Sequence, residues 1–231
     1  MGIYNERDRS RVMKAVESIL DQTYDKFEFI ICDDGSEQEF YDWLKQYCKK
    51  DTRIRLLRKT QNGGLAAALN ACLAEAKGDY VARMDADDLS KPDRFERQLD
   101  FLTAHPEYAL TGCGAELIDG EGSWGKRIPA ETPQKSDFLW NSPFIHPTVI
   151  IRKNVLEELG GYTTSAYAER TEDYDLFMRM YAAGYQGYNL QECLFQYRED
   201  RKAYAKRKYR YRINEARVRS VSYTHLTLPT T

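Results

Sequence analysis

Apolar side chains recur at two spacings in the first half of the chain, and each spacing predicts one kind of secondary structure. Where they lie three or four residues apart, as from Val12 to Leu20, the pattern predicts an amphipathic helix. Where short runs are rich in β-branched and aromatic residues, it predicts a strand. The predicted helices cover residues 8–21, 37–48, 65–77 and 93–104, and the predicted strands cover 27–32, 53–57 and 79–84.

Helices and strands alternate over residues 1–104, an order that favours βαβ units. It is typical of an α/β fold with a mostly parallel, Rossmann-like central sheet flanked by helices. Beyond residue 106, glycines and prolines separate short strand-like pieces at 108–111, 116–118 and 148–152, with helices at 153–159 and 173–183. We expect this second half to form a mixed sheet that packs on the first half, because no linker-like composition divides them.

Polar turns follow the predicted strands of the first half. They are Tyr4-Asn5, Asp33-Asp34-Gly35-Ser36, Asn62-Gly63-Gly64 and Asp85-Ala86-Asp87-Asp88. Because parallel strands end at the same edge of a sheet, these turns are expected to gather there, where open α/β sheets bind their ligands. The pattern therefore predicts a binding crevice at this edge.

The last of these turns places three carboxylates, Asp85, Asp87 and Asp88, within four residues. Carboxylates this close repel one another, and a hard divalent cation with oxygen ligands relieves the repulsion. The alternative is a solvated acidic turn ahead of the helix that Pro92 begins. The motif alone leaves both interpretations open, and the neighbouring turns are the first reason to prefer a binding site.

Composition narrows the class of protein. The chain has 231 residues with 34 basic and 36 acidic side chains, so its net charge of −2 gives no reason to expect nucleic acid as a partner. Its five cysteines form no CxxC pair, which disfavours a zinc site and a disulfide framework. No apolar run approaches the ~20 residues of a transmembrane helix. With no signal peptide evident either, we expect a cytoplasmic protein.

Both ends of the sequence depart from this pattern. Residues 1–5 resemble the last part of a strand, so we expect an incomplete first strand with an exposed edge. Residues 201–219 hold nine cations and one acid, and a basic helix over 201–221 is either solvated or lies on an anionic membrane surface. Residues 222–231 carry no charge and are interpreted as a non-native tail.

Taken in order, the four turns and the later pair Glu172-Asp173 resemble the motif series of the family 2 glycosyltransferases, over roughly residues 1–200. The segments His146-Pro147-Thr148-Val149 and Glu172-Asp173-Tyr174-Asp175-Leu176 look most like those of bacterial members that build exopolysaccharide or O-antigen units. The resemblance implies the A-type glycosyltransferase (GT-A) fold and an inverting reaction. It also implies a nucleotide-diphospho-sugar donor, expected to be a UDP-sugar, and a saccharide or lipid-linked acceptor.

The resemblance implies roles for residues that would bind the donor. Tyr4 would lie against the base, and Asp34 would accept a hydrogen bond from the base N3–H. Asp85 would reach the ribose or a metal ion, and Asp87 would bind Mn²⁺ or Mg²⁺ directly. An aromatic face suits stacking and a carboxylate suits a donor edge. The alternatives are core packing for Tyr4 and a simple β-turn for residues 33–36.

On the acceptor side, the resemblance makes Asp173 the general base that deprotonates the acceptor hydroxyl. It places His146 where it would steady the diphosphate or orient the acceptor. The alternatives are a helix-terminal acid for Asp173 and a structural hydrogen bond for His146. One position departs from the family, since Leu69 stands where many relatives carry an arginine that meets the diphosphate. We expect Arg83 to supply that charge instead.

Two rival functions stay open at this point. A metal-dependent nucleotidyltransferase would also use paired carboxylates, although no glycine-rich, lysine-containing phosphate loop is evident. A catalytically inactive nucleotide-sugar-binding module would keep the same turns without turnover. If the acceptor is lipid-linked, peripheral contact with the inner face of the membrane is expected.

Overall fold

The computed structural model describes residues 1–199. The predicted basic helix at 201–221 and the predicted tail at 222–231 lie outside the described residues. Within the described part the six α-helices are α1 (Arg9–Leu20), α2 (Gln38–Cys48), α3 (Leu65–Glu75), α4 (Arg94–Ala104), α5 (Lys153–Glu158) and α6 (Glu172–Ala182). The strands are β1 (Gly2–Ile3), β2 (Phe29–Asp33), β3 (Ile54–Arg58), β4 (Tyr80–Ala82), β5 (Leu89–Ser90), β6 (Tyr108–Asp119), β7 (Gly122–Arg127), β8 (Ile150–Arg152) and β9 (Gln186–Arg198).

The first half forms the expected βαβ units. Strands β1, β2 and β3 make a parallel sheet in that order, with Ile31 opposite Leu56. Helix α1 begins where the Asp8 carboxylate accepts from the N–H groups of Ser10 and Arg11, which satisfies donors that have no partner in the helix. Its buried apolar face packs on this sheet as the periodicity predicts.

The second half forms a mixed sheet in the order β4-β8-β6-β9-β5, with β7 paired to β6. The β6–β9 pairing is parallel, and the β4–β8, β6–β8, β5–β9 and β6–β7 pairings are antiparallel. The α/β fold class is therefore confirmed, but the strands divide into two sheets rather than one mostly parallel sheet. Strand β1 has only two residues and pairs with β2. A cavity of about 800 Å³, lined by residues of β2, α3 and β4, lies between the sheets.

The predicted separation of strands at 108–111 and 116–118 is wrong. Strand β6 runs without a break from Tyr108 to Asp119, through Gly112. This glycine is required by the close approach of β9 rather than by a turn, because a Cβ at Gly112 would lie 2.3 Å from Asn189 Oδ1. A glycine at a site where two chains meet closely is easily mistaken for a loop residue.

Two large hydrophobic clusters form most of the core. The first joins Ile31 of β2 to Phe95 of α4 and Phe195 of β9, so both sheets share it. The second gathers Leu156 of α5 and Phe177 of α6, and it supports the elements that carry His146 and Asp173. Among residues 1–199 we find no helix with the length and apolarity needed to cross a bilayer.

Candidate active site

Strand β4 delivers a buried arginine to the start of the acidic turn. The Arg83 N–H donates to the Val149 carbonyl (2.9 Å), and its guanidinium donates to Asp85 Oδ1 (2.6 Å) and to the Met84 carbonyl. Burial opposes the Arg83 charge, but Asp85 and other nearby acids outweigh it, so the pKa of Arg83 is raised. Arg83, the cation that the sequence predicts for a diphosphate, is therefore already paired with Asp85 of the turn.

The other two carboxylates of the turn differ in their surroundings. Asp88 is buried, and its Oδ1 accepts from the Arg198 N–H (2.6 Å), while Arg198 Nε donates to the Asp87 carbonyl (2.9 Å). Asp88 thus ties the turn to β9. Burial raises the pKa of both Asp87 and Asp88, and the charge of Asp85 raises each further. The turn carries more negative charge than its neighbours neutralise.

This charge imbalance fits a divalent cation shared with a substrate. No group of three or more candidate ligands is assembled among residues 1–199. Mg²⁺-type sites in nucleotide-binding enzymes commonly use one or two protein carboxylates and complete their ligand set with substrate phosphates. Asp87 and Asp85 would be such a pair, since burial and then the charge of Asp85 raise the pKa of Asp87, and a bound cation would offset both effects.

Tyr4 and Asn5 form the turn after β1. Tyr4 is 52% exposed, which excludes core packing as its role. Asn5 adopts a left-handed φ of 43°, its N–H donates to Ser36 Oγ (2.9 Å), and its Oδ1 accepts from the Glu37 N–H (2.9 Å). These bonds join the first two predicted turns. The acidic turn lies near this first turn, because the charge of Glu6 contributes to the raised pKa of Asp87.

Asp34 fastens the third turn. Its Oδ1 accepts from Lys59 Nζ (2.6 Å), its Oδ2 accepts from the Gly64 N–H (2.8 Å), and both oxygens accept from the Gly63 N–H (3.1 Å each). A carboxylate offers about four acceptor positions, so these contacts occupy all of them. The role of Asp34 toward a base stays a prediction, and its visible role is to hold the glycine turn. Asp33 Oδ1 accepts from the Ser36 N–H within its own turn (3.4 Å) and does not cap α2.

His146 lies buried in the turn before β8. Its Nε2 is 3.0 Å from the Tyr162 hydroxyl. Burial lowers the pKa of His146 well below its usual value, and the nearby Arg83 charge lowers it further. The imidazole is therefore neutral at neutral pH, and it can assist a ligand by a hydrogen bond but not as a cation.

Tyr162 is a site residue that the sequence does not reveal, because Gly160-Gly161 predicts only the end of the preceding helix. Asn70 holds it by two bonds, from Asn70 Nδ2 to the Tyr162 carbonyl (2.8 Å) and from the Tyr162 N–H to Asn70 Oδ1 (2.8 Å). Gly161 has a φ of +71°, and a Cβ there would lie 2.6 Å from Asn70 Oδ1. The signal for Tyr162 is the glycine that precedes it, which leaves room for the asparagine that holds the tyrosine backbone. This signal becomes visible only once the helices are placed in the structure.

Asp173 occupies the first turn of α6, partly shielded from solvent. Burial raises its pKa to about 6, and the charge of Glu172 adds to the effect. The charges of Arg83, Asp173 and Asp85 in turn act on the pKa of the buried Tyr162 hydroxyl, which burial raises. The structure thus brings the predicted residues Arg83, Asp85, His146 and Asp173 into one electrostatic neighbourhood around Tyr162.

Comparison with known proteins gives the family of this chain. The family model described as Glycosyl transferase family 2 matches residues 1–160. The chain belongs to glycosyltransferase family 2. The predicted family and the predicted glycosyltransferase function are confirmed.

Family 2 relatives cover most of this chain. It is 40% identical over 231 residues to the "Putative glycosyltransferase EpsE" of Bacillus subtilis, covering 99% of this chain and 82% of the relative. It is 30% identical over 220 residues to an Escherichia coli protein named "UDP-Gal:alpha-D-GlcNAc-diphosphoundecaprenol beta-1,3-galactosyltransferase", covering 93% of this chain and 78% of the relative.

Solved structures of glycosyltransferases show the same fold. Staphylococcus aureus TarS 1–349 in complex with UDP-GlcNAc matches with a TM-score of 0.76 at 16% identity, over 100% of this chain and 66% of that one. The mannosyltransferase PcManGT of Pyrobaculum calidifontis, in complex with GDP-Man and Mn²⁺, matches with a TM-score of 0.70 at 21% identity, over 96% and 61%. This chain thus spans slightly less than two thirds of those structures. At these identities the likeness concerns the fold alone, and the GT-A fold is confirmed.

Arg94 is a second residue missed by sequence reasoning. Its fully buried guanidinium donates to the carbonyls of Arg83 (3.2 Å) and Pro147 (3.3 Å). It therefore joins the end of β4 to the His146 turn and fixes the distance between the acidic turn and the imidazole. In the sequence Arg94 resembles any charged residue in the first turn of an exposed helix.

Proposed function

We propose that this glycosyltransferase moves a sugar from a UDP-sugar to a saccharide or lipid-linked acceptor with inversion, in the synthesis of a cell-surface polysaccharide. The carrying observation is that Arg94 joins the residue that pairs with Asp85, Arg83, to the His146 turn, and that His146 Nε2 lies 3.0 Å from the Tyr162 hydroxyl. Asp173 lies near enough for its charge to raise the pKa of that buried hydroxyl, after the larger effect of burial. The UDP-Gal in the name of the E. coli relative and the UDP-GlcNAc bound to TarS support a UDP-sugar donor. The same relative's name supports a lipid-linked acceptor.

On the donor side, Tyr4 presents an exposed ring for the base, and Asp34 would accept from the base edge in place of one of its present donors. Asp87 would hold Mn²⁺ or Mg²⁺, with Asp85 as a second ligand or a ribose contact. When bound, the ion supplies positive charge to the phosphates and favours departure of the nucleoside diphosphate. Arg83, buried at 4% exposure, keeps Asp85 in place and adds positive charge to the floor of the donor site.

On the acceptor side, an Asp173 carboxylate oxygen takes the proton of the acceptor hydroxyl. The hydroxyl oxygen forms a bond to the anomeric carbon as the bond from that carbon to the diphosphate oxygen breaks. Attack from the face opposite the leaving group inverts the configuration. A base with a pKa of about 6 is ionised at neutral pH and binds a proton more strongly than an ordinary aspartate. The neutral His146 and the Tyr162 hydroxyl orient the acceptor by hydrogen bonds.

Titration of UDP into the protein tests the donor site. We expect UDP binding to require Mn²⁺ or Mg²⁺, and Asp87→Asn to weaken it by at least about tenfold, roughly 1.4 kcal/mol. The matched control is Asp79→Asn, an exposed acid at the start of the same segment, which should bind UDP as the wild type does. Tight UDP binding that ignores the metal would contradict the assignment of Asp87. GDP binding stronger than UDP binding would contradict the donor class.

A measurement of turnover distinguishes the proposed enzyme from the alternative of an inactive nucleotide-sugar-binding module. A protein that binds UDP with Mn²⁺ but releases none from any UDP-sugar, with or without acceptor, would be such a module. We expect release, and we expect the protein to act at the cytoplasmic face of the membrane where lipid-linked acceptors are presented.

A further inference from the structure

Three exposed large apolar side chains, Ile128, Leu139 and Trp140, fall within one short stretch of the second half. Trp140 stands out, since 75% of it is exposed. Tryptophan has a large apolar surface and is usually covered at least in part. Its position after the turn Lys135–Leu139 places this surface at the end of a segment that packs against α6.

The segment from residue 130 to residue 143, here the Trp140 loop, is held closed by one buried amide. Asn189 Nδ2 donates to the carbonyls of Ala130 (2.7 Å) and Pro143 (3.1 Å), and Asn189 is fully buried. The two ends of the loop therefore meet at a single side chain of β9. A loop closed in this way presents Trp140 on a fixed base rather than on a free tip.

The interior of the loop is anchored to the helix that carries Asp173. Phe138 is 1% exposed, and its ring centroid lies 4.8 Å from that of Tyr181. The Tyr174 hydroxyl donates to the Phe138 carbonyl, and the Tyr181 hydroxyl donates to the Pro133 carbonyl (3.1 Å). Tyr174 directly follows Asp173. Trp140 is thus two residues from a backbone group that is bonded to the neighbour of the candidate base.

We propose that the Trp140 indole is a platform on which a sugar ring of the acceptor stacks while its hydroxyl reaches Asp173. The inference rests on the proposed role of Asp173 as the base. A sugar ring has a face of C–H groups that packs against an aromatic face, and its hydroxyls stay in contact with water and polar side chains. An exposed tryptophan on a rigid loop with polar neighbours such as Asn141 suits that combination.

Charge favours a saccharide over a membrane surface as the occupant. The Trp140 loop carries Glu131 and Asp137 against Lys135, a net charge of −1. Anionic lipid headgroups attract clusters of lysine and arginine and would be repelled weakly by this loop. A neutral sugar ring carries no such cost. The occupant is therefore the saccharide part of the acceptor.

Steady-state transfer kinetics test the platform with Trp140→Ala, Trp140→Phe and the control Met13→Ala, another exposed apolar residue on α1. The probe acceptors are the methyl glycosides of N-acetylglucosamine, glucose and galactose and an N-acetylglucosamine-diphospho-lipid. Trp140→Ala should raise the acceptor KM about tenfold, the size expected for losing an aromatic stacking partner, with the donor KM unchanged. Trp140→Phe should restore the acceptor KM to within about threefold of wild type, and Met13→Ala should match wild type.

Acrylamide quenching of tryptophan fluorescence gives a second readout that needs no turnover. Trp43 and Trp124 are half-buried and Trp140 is 75% exposed, so the most exposed emitter is Trp140. At least one probe glycoside should protect the wild type from quenching, and the protection should vanish in Trp140→Phe.

Three results would overturn the platform. They are a wild-type acceptor KM in Trp140→Ala, failure of every glycoside to protect Trp140, and protection by phosphatidylglycerol vesicles but not by glycosides. A wild type that shows glycoside protection but releases no UDP from any UDP-sugar would support the sugar platform and contradict the proposed function. The two failures are thereby distinguishable.

Discussion

At Asp173 the fold places a carboxyl group where burial works against its charge. The folded-state pKa is about 6 against an ordinary value of 3.8, so the folded state binds this proton more tightly than the unfolded chain. The cost of ionising Asp173 is absent below about pH 3.8, grows as the pH rises, and is complete above about pH 6. A proton acceptor useful for catalysis is therefore destabilising at neutral pH.

Asp173→Asn should stabilise the protein at pH 7.5, because asparagine carries no charge to bury. Two pKa units correspond to on the order of 2–3 kcal/mol, or a rise in Tm of several degrees for a chain of this size. The gain over wild type should shrink at pH 4, where wild-type Asp173 is largely protonated. Thermal unfolding at both pH values measures it. Equal gains at the two pH values would show that the burial of charge is not the cause.

At the scale of elements, the loop between α5 and α6 depends on Gly161. A Cβ there would lie 2.6 Å from Asn70 Oδ1, whereas a Cβ at Gly160 would meet nothing within 4 Å. Both glycines have left-handed φ values, 70° and 71°, so alanine costs about 1–2 kcal/mol in backbone strain at either position. Only at Gly161 does it also displace Asn70 and with it Tyr162.

Gly161→Ala should therefore reduce transfer by at least about tenfold more than Gly160→Ala does, and it should also lower stability further, because the clash with Asn70 adds to the shared backbone strain. The reason is that Tyr162 and His146 lose their fixed separation. The comparison requires UDP release rates and unfolding midpoints for both variants. Equal activity losses would mean that the Asn70–Tyr162 pairing does not position the site.

The elements of the first half were predictable because each is specified locally. The spacing of Val12 and Ile19 and the capping carboxylate of Asp8 specify α1 within a few residues. Strand β9 was not predicted, since its thirteen residues are stabilised by pairing with β6, some eighty positions earlier. Gly112 looked like a break for the same reason, as the need for a glycine there comes from Asn189.

The candidate site shows the same division between local and long-range information. Asp85, Asp87 and Asp173 were predicted because motif order in the family carries them. Tyr162 and Arg94 were not, because their contacts join segments that are distant in sequence. The sequence also predicted that Arg83 supplies charge for the diphosphate, and its pairing with Asp85 at 2.6 Å was not predicted.

At the scale of the whole molecule, each of the two sheets carries some of the candidate site residues. The parallel sheet carries Tyr4 and Asp34 on the turns that end its strands, and the mixed sheet carries the acidic turn and supports Asp173. The shared hydrophobic cluster, in which Ile31 of one sheet packs with Phe195 of the other, fixes one relative to the other. Because Asp87 lies in the turn after β4 and Asp173 in the first turn of α6, donor binding and proton transfer should be separable by mutation.

That separation is the central claim, and one comparison tests it most directly. UDP affinity and the rate of UDP release are measured for wild type, Asp87→Asn and Asp173→Asn, with Mn²⁺, a panel of UDP-sugars and an N-acetylglucosamine-diphospho-lipid acceptor. We predict that Asp173→Asn keeps UDP affinity within about twofold and loses at least about a hundredfold in rate, the range expected for a general base. Asp87→Asn should lose both. A fully active Asp173→Asn, or one that no longer binds UDP, would contradict the account.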